Sequence, residues 1–314
     1  MMITTVTLNA SIDKAYFMDR RIENGTVMRV ASCRNSAGGK GMNVARIVKL
    51  CKEEVQATGF TGGFNGAYLE SLLEQDGIFH RFVHVKAETR SCINILDEGY
   101  GSTEYLEPGE PVTREEETAF LECFPKMIQD SSVVTISGSV PRGISKDIYQ
   151  SLVQCAKDLG KQVILDTNGE LLENGLKACP TMVKPNQDEI EALFGIQVKG
   201  FEDVVSYAQK IYEMGIPNVV ISLGGDGALL VCSEGVFQGR PPKLEVVNTV
   251  GCGDSMVGAL AVALKRKAAP KDALRYAVAT ATAAALSSET GCFEPEVQER
   301  LLSQVKIERV GINE

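Results

Sequence analysis

Hydrophobic positions along the chain repeat with two different periods. Short, largely apolar runs occupy residues 3–8, 55–60, 79–85, 133–138, 162–166, 182–185 and 219–223, as expected of strands buried on both faces. Between them, apolar side chains recur at helical spacing: Val44, Ile47, Val48 and Cys51; Leu69, Leu72 and Leu73; Ile148, Leu152, Cys155 and Leu159; Val204, Ala208 and Ile211; Met256, Val257, Leu260 and Leu264. Thr113 and Glu116 form a capping-box pattern ahead of Phe120, Leu121 and Phe124. Residues 272–287 read as a helix rich in Ala and Thr, small enough for close packing. Strands alternating with helices predict an α/β fold: a mostly parallel sheet with helices on both faces.

Two segments break this rhythm. Residues 14–33 alternate weakly and carry many charges, and residues 89–106 read as a hairpin turning at Gly99, Tyr100 and Gly101. Together they predict a small, partly exposed sheet acting as a lid. One domain over residues 1–314 is expected, with a core of residues 1–10, 36–88 and 109–314 and a lid of residues 11–35 and 89–108. Residues 244–247 read as a further strand-like run, and the polar tail after Glu308 is expected to be loose.

Composition narrows the function classes. Hydrophobic residues make up 44% and charged residues 23%, the profile of a soluble globular protein. The net charge of −9 argues against a nucleic-acid footprint, and no apolar run approaches membrane-spanning length. The nine cysteines are odd in number, contain no Cys-x-x-Cys and follow no leader-like segment, which predicts free thiols in a reducing cytoplasm. With His80 and His84 as the only histidines, a His-based zinc site or a Ser-His-Asp triad has little support.

The densest chemistry lies at residues 248–264, where the turn Gly251-Cys252-Gly253 leads into a helix that begins near Asp254. Glycines bring a ligand close to the backbone, and the unpaired N–H groups and dipole of a helix start favour an anion. Asp254 there either caps the helix or accepts a proton. An anion hole beside a carboxylate is what phosphoryl transfer to an alcohol requires. Between two glycines at a helix start, the Cys252 thiol is expected to have a lowered pKa and fast alkylation, with a small inert filler as the alternative.

Other residues gather around this centre. Asp13 follows the first strand, at the sheet edge where α/β proteins bind ligands, though a turn Asp is also common. Residues 36–51 read as a glycine-rich loop feeding a helix, with Lys40 among Gly38, Gly39 and Gly41; the spacing fits neither a dinucleotide fingerprint nor a Walker loop. Asn186 and Glu189 fit a capping box, and the same side chains could orient water around a magnesium ion. Residues 222–227 follow a strand and hold glycines that would admit a flat or anionic ligand, or simply make a hairpin. Arg90 opens the predicted hairpin as either a ligand-gripping cation or a surface charge.

With these motifs in place, the sequence resembles the ribokinase-like, or PfkB, carbohydrate kinases. Gly38-Gly39-Lys40-Gly41-Met42-Asn43 and Asn248-Thr249-Val250-Gly251-Cys252-Gly253-Asp254 match the two signatures of that family. Residues 7–13, Thr89-Arg90, residues 137–141 and Lys184-Pro185-Asn186 resemble its branch of 1-phosphofructokinases and tagatose-6-phosphate kinases. The resemblance implies a three-layer α/β/α sandwich with a small β lid, using ATP and Mg2+ to phosphorylate a ketohexose phosphate: fructose 1-phosphate first, tagatose 6-phosphate as the alternative, fructose 6-phosphate less so.

It implies Asp254 as general base, with Gly251, Cys252 and Gly253 as the anion hole. Position 252 is more often Ala or Ser in the family. Asp13, Gly39 and Asn43 would meet the sugar, and Lys40, Arg90 and Ser139 its phosphate. Lys184, Ser222, Gly224 and Gly227 would lie along the nucleotide, and Asn186 and Glu189 would hold magnesium, through water. A homodimer paired through the lids is also implied. Lys40 and Arg90 argue against a kinase of unphosphorylated sugars, since two cations would face an uncharged ligand. The retained Asp254 and glycine hole argue against a non-catalytic sugar-phosphate sensor, and the glycine spacing argues against a dehydrogenase.

Overall fold

The computed structural model describes residues 1–97 and 101–311. In chain order, strand β1 (Met2–Thr7) is followed by β2 (Ser11–Met18), β3 (Ser32–Gly38), helix α1 (Lys40–Leu50), β4 (Val55–Thr61), α2 (Gly63–Gln75), β5 (Phe79–His84), β6 (Arg90–Asp97) and β7 (Gly101–Leu106). The chain continues with α3 (Arg114–Met127), β8 (Ser131–Ser137), α4 (Ile148–Asp158), β9 (Gln162–Asp166), α5 (Gly169–Leu176), β10 (Met182–Val183), α6 (Gln187–Phe194) and α7 (Phe201–Glu213). It closes with β11 (Asn218–Ser222), β12 (Ala228–Cys232), β13 (Gly235–Arg240), α8 (Cys252–Lys265), α9 (Pro270–Ala285), α10 (Pro295–Leu302) and β14 (Lys306–Arg309).

Among the described residues, the main sheet has the order β14–β13–β12–β11–β10–β9–β8–β1–β4–β5. Its pairings from β5 to β11 are parallel, while β12, β13 and β14 join antiparallel. Side chains alternate across it with period two. In β9, Val163 and Leu165 join the core under α3–α7, whereas Ile164 joins the core under α1, α2, α8, α9 and α10. These two apolar faces give the predicted three layers.

The chain runs from β1 outward to β4 and β5, then returns to place β8 on the other side of β1. The carboxyl ends of β1 and β8 therefore flank a topological switch point, where α/β sheets open a crevice. Helix α8 is apolar and buried from Met256 to Ala263, so packing fixes it over this crevice. A Cβ at Gly258 would stand 2.7 Å from Ile47 Cγ2, so this glycine lets α8 lie against α1.

The lid is a second sheet of order β3–β2–β6–β7. Its cavity face carries Asp13 and Ala15 opposite Ser36 and Arg34 on one side, and Asp13, Ala15 and Phe17 opposite Cys92, Asn94 and Leu96 on the other. Strand β3 runs three residues past the expected lid boundary at 35, to Gly38. The predicted turn at Gly99 and Tyr100 lies outside the described residues.

Three further expectations change. Residues 244–247 form no strand; Leu244, Val246 and Val247 are 45%, 54% and 66% exposed, because they run over the cavity rim without a sheet neighbour. The chain after Glu308 begins inside β14, held by pairing with β13, and its last three residues lie outside the described ones. The helix expected after the glycine-rich stretch is present as α1, but the loop ahead of it shrinks to the single cap Gly39, because residues 36–38 belong to β3.

Candidate active site

Strand ends build the floor of the cleft. Thr7, Ser137 and Asp166 end β1, β8 and β9, Lys184 follows β10, and Ser222 ends β11. Thr7, Ser137, Lys184 and Ser222 line one cavity of about 1420 Å³, with Asp166 buried beneath them, the lid along one wall and the start of α8 along another. The sequence-predicted residues Asp13, Gly39, Lys40, Asn43, Arg90, Ser139, Lys184, Asn186, Glu189, Ser222, Gly224, Gly227 and Gly251 to Asp254 all line it.

Helix α8 starts from Gly251, whose φ of 77° is left-handed and whose added Cβ would stand 2.6 Å from Thr290 Cγ2. Only glycine fits there. Asp254 makes no cap bond to its own helix. Its Oδ2 instead accepts from Asn43 Nδ2 at 2.7 Å. The helix-capping alternative for Asp254 therefore falls away.

The electrostatics centre on a residue that the sequence reading passed over. Asp166 is buried, with Lys184 Nζ 3.0 Å from one carboxylate oxygen and Lys40 Nζ 3.4 Å from the other. Burial alone would raise its pKa, but Lys184 and Lys40 outweigh that and hold it below the usual carboxylate range. Lys40 is the mirror case: burial would lower it, yet Asp166, Asp254 and Glu189 raise it. Asp254 behaves differently. Burial and the Asp166 charge push it up to about 6, against the opposing pull of Lys40, Asn43 and Lys184. A carboxylate with a pKa near neutrality suits a general base.

Lys40, expected at the acceptor phosphate, lines the cavity and sets its ammonium 3.4 Å from Asp166 and 4.0 Å from Glu189. As the first residue of α1 it points across the cleft mouth towards β9, a direction that the flanking glycines alone did not reveal.

At the lid end, Asp13 accepts from the Ser11 hydroxyl, and burial raises its pKa against Ser11, Arg46 and Arg90. A Cβ at Gly38 would stand 1.9 Å from its Oδ1, so the glycine clears the space for this carboxylate. Gly39 has a φ of 106° and caps α1 without a side chain. Arg90 Nη2 and Nη1 donate to the carbonyls of Asn9 and Glu107 at 3.1 and 3.0 Å, fastening lid to core beside Asp13. Ser139 accepts from Asn9 Nδ2.

At the other end, Asn186 and Glu189 form the predicted reciprocal capping box at 2.8 and 2.9 Å. Among the described residues, no cluster of three His, Cys, Asp or Glu side chains is arranged to hold a metal ion. Burial, and then the neighbouring Asp166, raise the pKa of Glu189 against the pull of Asn186, Lys184 and Lys40, so a carboxylate and an amide oxygen stand at this end of the cavity. Such a donor set fits magnesium held mainly by phosphate and water oxygens, with the protein supplying few ligands. Ser222, Gly224 and Gly227 lie on the strand and turn that follow, with Val278, Ala281 and Ala285 of α9 opposite. At Gly227 the glycine is structural, since a Cβ would stand 1.9 Å from the Gly239 carbonyl.

The Cys252 expectation fails. Burial and the Asp254 carboxylate push its thiol up to about 11, because the cavity wall removes water and the nearest charge is negative. All nine cysteines are free thiols, and among the described residues no helix is long and apolar enough to cross a membrane.

Known proteins resemble this chain in sequence and in fold. The model of the pfkB family carbohydrate kinases matches residues 6–296. A 1-phosphofructokinase of Bacillus subtilis is 34% identical over 309 residues, covering 98% of this chain and all of its own. A tagatose-6-phosphate kinase of Staphylococcus epidermidis is 35% identical over 310 residues, covering 98% and 99%. Among solved structures, phosphofructokinase-2 from Escherichia coli in complex with potassium superposes with a TM-score of 0.91 at 32% identity, over 96% of this chain and 98% of that one. Kinases of this family take ATP as phosphoryl donor, generally with Mg2+. Family match, near-full-length relatives and fold agree, and the chain belongs to the PfkB family of carbohydrate kinases, phosphotransferases with an alcohol group as acceptor.

Proposed function

We propose that this protein phosphorylates a ketohexose monophosphate with ATP, converting fructose 1-phosphate to fructose 1,6-bisphosphate. The observation that carries the reading is Asp254: a buried carboxylate poised near pH 6, aimed by Asn43, at the glycine-lined start of α8. The Asn43 bond occupies Oδ2 and leaves Oδ1 for the acceptor hydroxyl. Asp254 takes the hydroxyl proton while the alkoxide oxygen forms its bond to the γ-phosphorus and the bond to ADP breaks. The N–H groups of Gly251 and Gly253, with Lys40 and Lys184 on Asp166, offset the charge that develops on the transferring group, whereas the Cys252 N–H, expected as a third donor, is engaged by the Thr249 carbonyl at 3.3 Å. When bound at the Asn186–Glu189 end, magnesium supplies further positive charge to the phosphates.

Asp13, Gly39 and Asn43 receive the sugar hydroxyls. Arg90 and Ser139 receive the acceptor phosphate, with Lys40 on the transfer side of the same cleft. Ser222, Gly224 and Gly227 line the nucleotide. The partly apolar cavity face of the lid, with Ala15, Phe17, Leu96 and Leu106, supports pairing of two lids in a homodimer. Free thiols support a cytoplasmic setting.

Tagatose 6-phosphate stands as the second reading, because the two curated relatives are 34% and 35% identical over nearly the whole chain. Initial rates with ATP and fructose 1-phosphate, tagatose 6-phosphate, fructose 6-phosphate and fructose test both. The highest kcat/KM is expected for fructose 1-phosphate. A higher value for tagatose 6-phosphate replaces the sugar, and an equal value for fructose defeats the phosphate requirement.

A further inference from the structure

Helix α1 sends a second charged side chain into the cleft wall. Arg46 lies three residues after Asn43, so the two share a helix face. Arg46 Nη2 donates to Asn43 Oδ1 at 2.6 Å, and Asn43 Nδ2 donates to Asp254 Oδ2 at 2.7 Å. Arg46 Nη1 donates to the Ala37 carbonyl at 2.7 Å, near the end of lid strand β3. The side chain is only 14% exposed.

The direction of this relay follows from donor chemistry. A guanidinium only donates, whereas an asparagine amide has one accepting and one donating end. Paired with Arg46, Asn43 must present its oxygen to the arginine and its nitrogen to Asp254. Without Arg46 the amide has two equivalent choices. It donates to an ionised Asp254, or it turns and accepts from a protonated one.

We propose that Arg46 is a positioning residue for the base: by holding Asn43 Oδ1 it obliges Asn43 to donate to Asp254, which keeps Asp254 an acceptor and leaves Oδ1 towards the substrate. The proposal rests on the reading of Asp254 as general base.

The surroundings bear on the pH behaviour. Asp254 is faced by Asp166 from β9, Lys40 and Asn43 from α1 and Lys184 after β10, with Cys252 on its own helix. Arg46 is faced by Asp76 after α2, at 3.8 Å, by Asp13 of the lid, by Asp254 and by Cys292. Burial lowers the proton affinity of Arg46 and these neighbours oppose the change; arginine stays charged across the working range. An alternative role is purely structural, tying Asp76 and Ala37 together. Asp76→Asn removes that ion pair and leaves the bond from Arg46 to Asn43 intact.

The test is steady-state kinetics from pH 5 to 9 with ATP and the best acceptor of the sugar-phosphate panel, beside thermal unfolding of each variant. Arg46→Met is expected to lower kcat at pH 7 by about tenfold or more and to move the acidic limb of kcat upward by about one pH unit. KM for ATP should stay within about twofold, since Arg46 lies on the lid side of Asp254. Arg46→Lys keeps a donor and should restore part of the loss. If Arg46→Met does not fold, Arg46→Gln carries the same test, because its amide can turn either way and the same upward limb is expected. An unmoved limb in Arg46→Met or Arg46→Gln, beside an inactive Asp254→Asn, overturns the proposal alone. So does an equal limb shift in Asp76→Asn. Wild-type turnover in Asp254→Asn overturns the base assignment and the proposal with it.

Discussion

Asp254→Asn separates catalysis from stability, because the structure makes the base costly to hold. Folding moves its carboxyl from a pKa of 3.8 up to about 6, through burial and then the Asp166 charge. A carboxyl with a raised folded-state pKa binds protons more readily folded than unfolded, so it opposes folding once it is ionised in both states. Above pH 6 that penalty is complete, at about 3 kcal/mol. Between pH 6 and 3.8 it shrinks as the folded state takes up its proton, and below 3.8 it is gone. Asparagine has the same shape, and its amide oxygen still accepts from Asn43, without the charge. The ligand-free variant is therefore expected to be more stable at pH 7.5, with a melting temperature higher by roughly 5 °C for a chain of this size. The advantage should narrow at pH 5. Turnover should fall by at least about 10²–10⁴-fold, the contribution of general-base catalysis. Thermal unfolding at several pH values and a coupled ADP-release assay read the two effects. A variant that melts lower than wild type at pH 7.5, or turns over within tenfold of it, would falsify the account of Asp254.

Lys184→Met is expected to act in the opposite direction on stability. It leaves buried Asp166 with Lys40 alone, and breaking a buried pair costs about 3–5 kcal/mol, so both melting temperature and kcat should fall; unchanged melting would show that Asp166 does not need Lys184. Arg90→Ala should raise KM for the acceptor roughly ten- to a hundredfold with little change for ATP, and Arg90→Lys should not rescue it, since a single ammonium cannot reproduce the fork that spans Asn9 and Glu107. Equal effects on both substrates would move Arg90 out of the acceptor site. Iodoacetamide should label the exposed Cys33 and Cys123 ahead of Cys252; mass-spectrometric mapping that finds Cys252 first would contradict the pKa of about 11 set by burial and Asp254.

The sequence by itself determined whatever depends on neighbours in the chain. Apolar periods placed the strands and helices of the core, since each period follows from one backbone geometry. The capping boxes at Thr113 and Asn186 formed as read, because both partners lie within one turn. Gly251 was legible as the turn ahead of α8 for the same reason. Residues 244–247 were misread because an apolar run becomes a strand only where a neighbouring strand is present to pair with it. Tertiary structure alone decided the electrostatics of the site. Asp166 meets Lys40 across 126 residues and Asn43 meets Asp254 across 211, and no local pattern encodes such pairs. They exist because the switch point between β1 and β8 brings distant strand ends to one edge, and because Gly258 lets α8 lie against α1. That convergence turned Lys40 towards Asp166, raised Asp254 towards neutrality and reversed the expected pKa shift of Cys252, since the pKa of a buried group is set by water lost and charges met in space, not by its position in the chain.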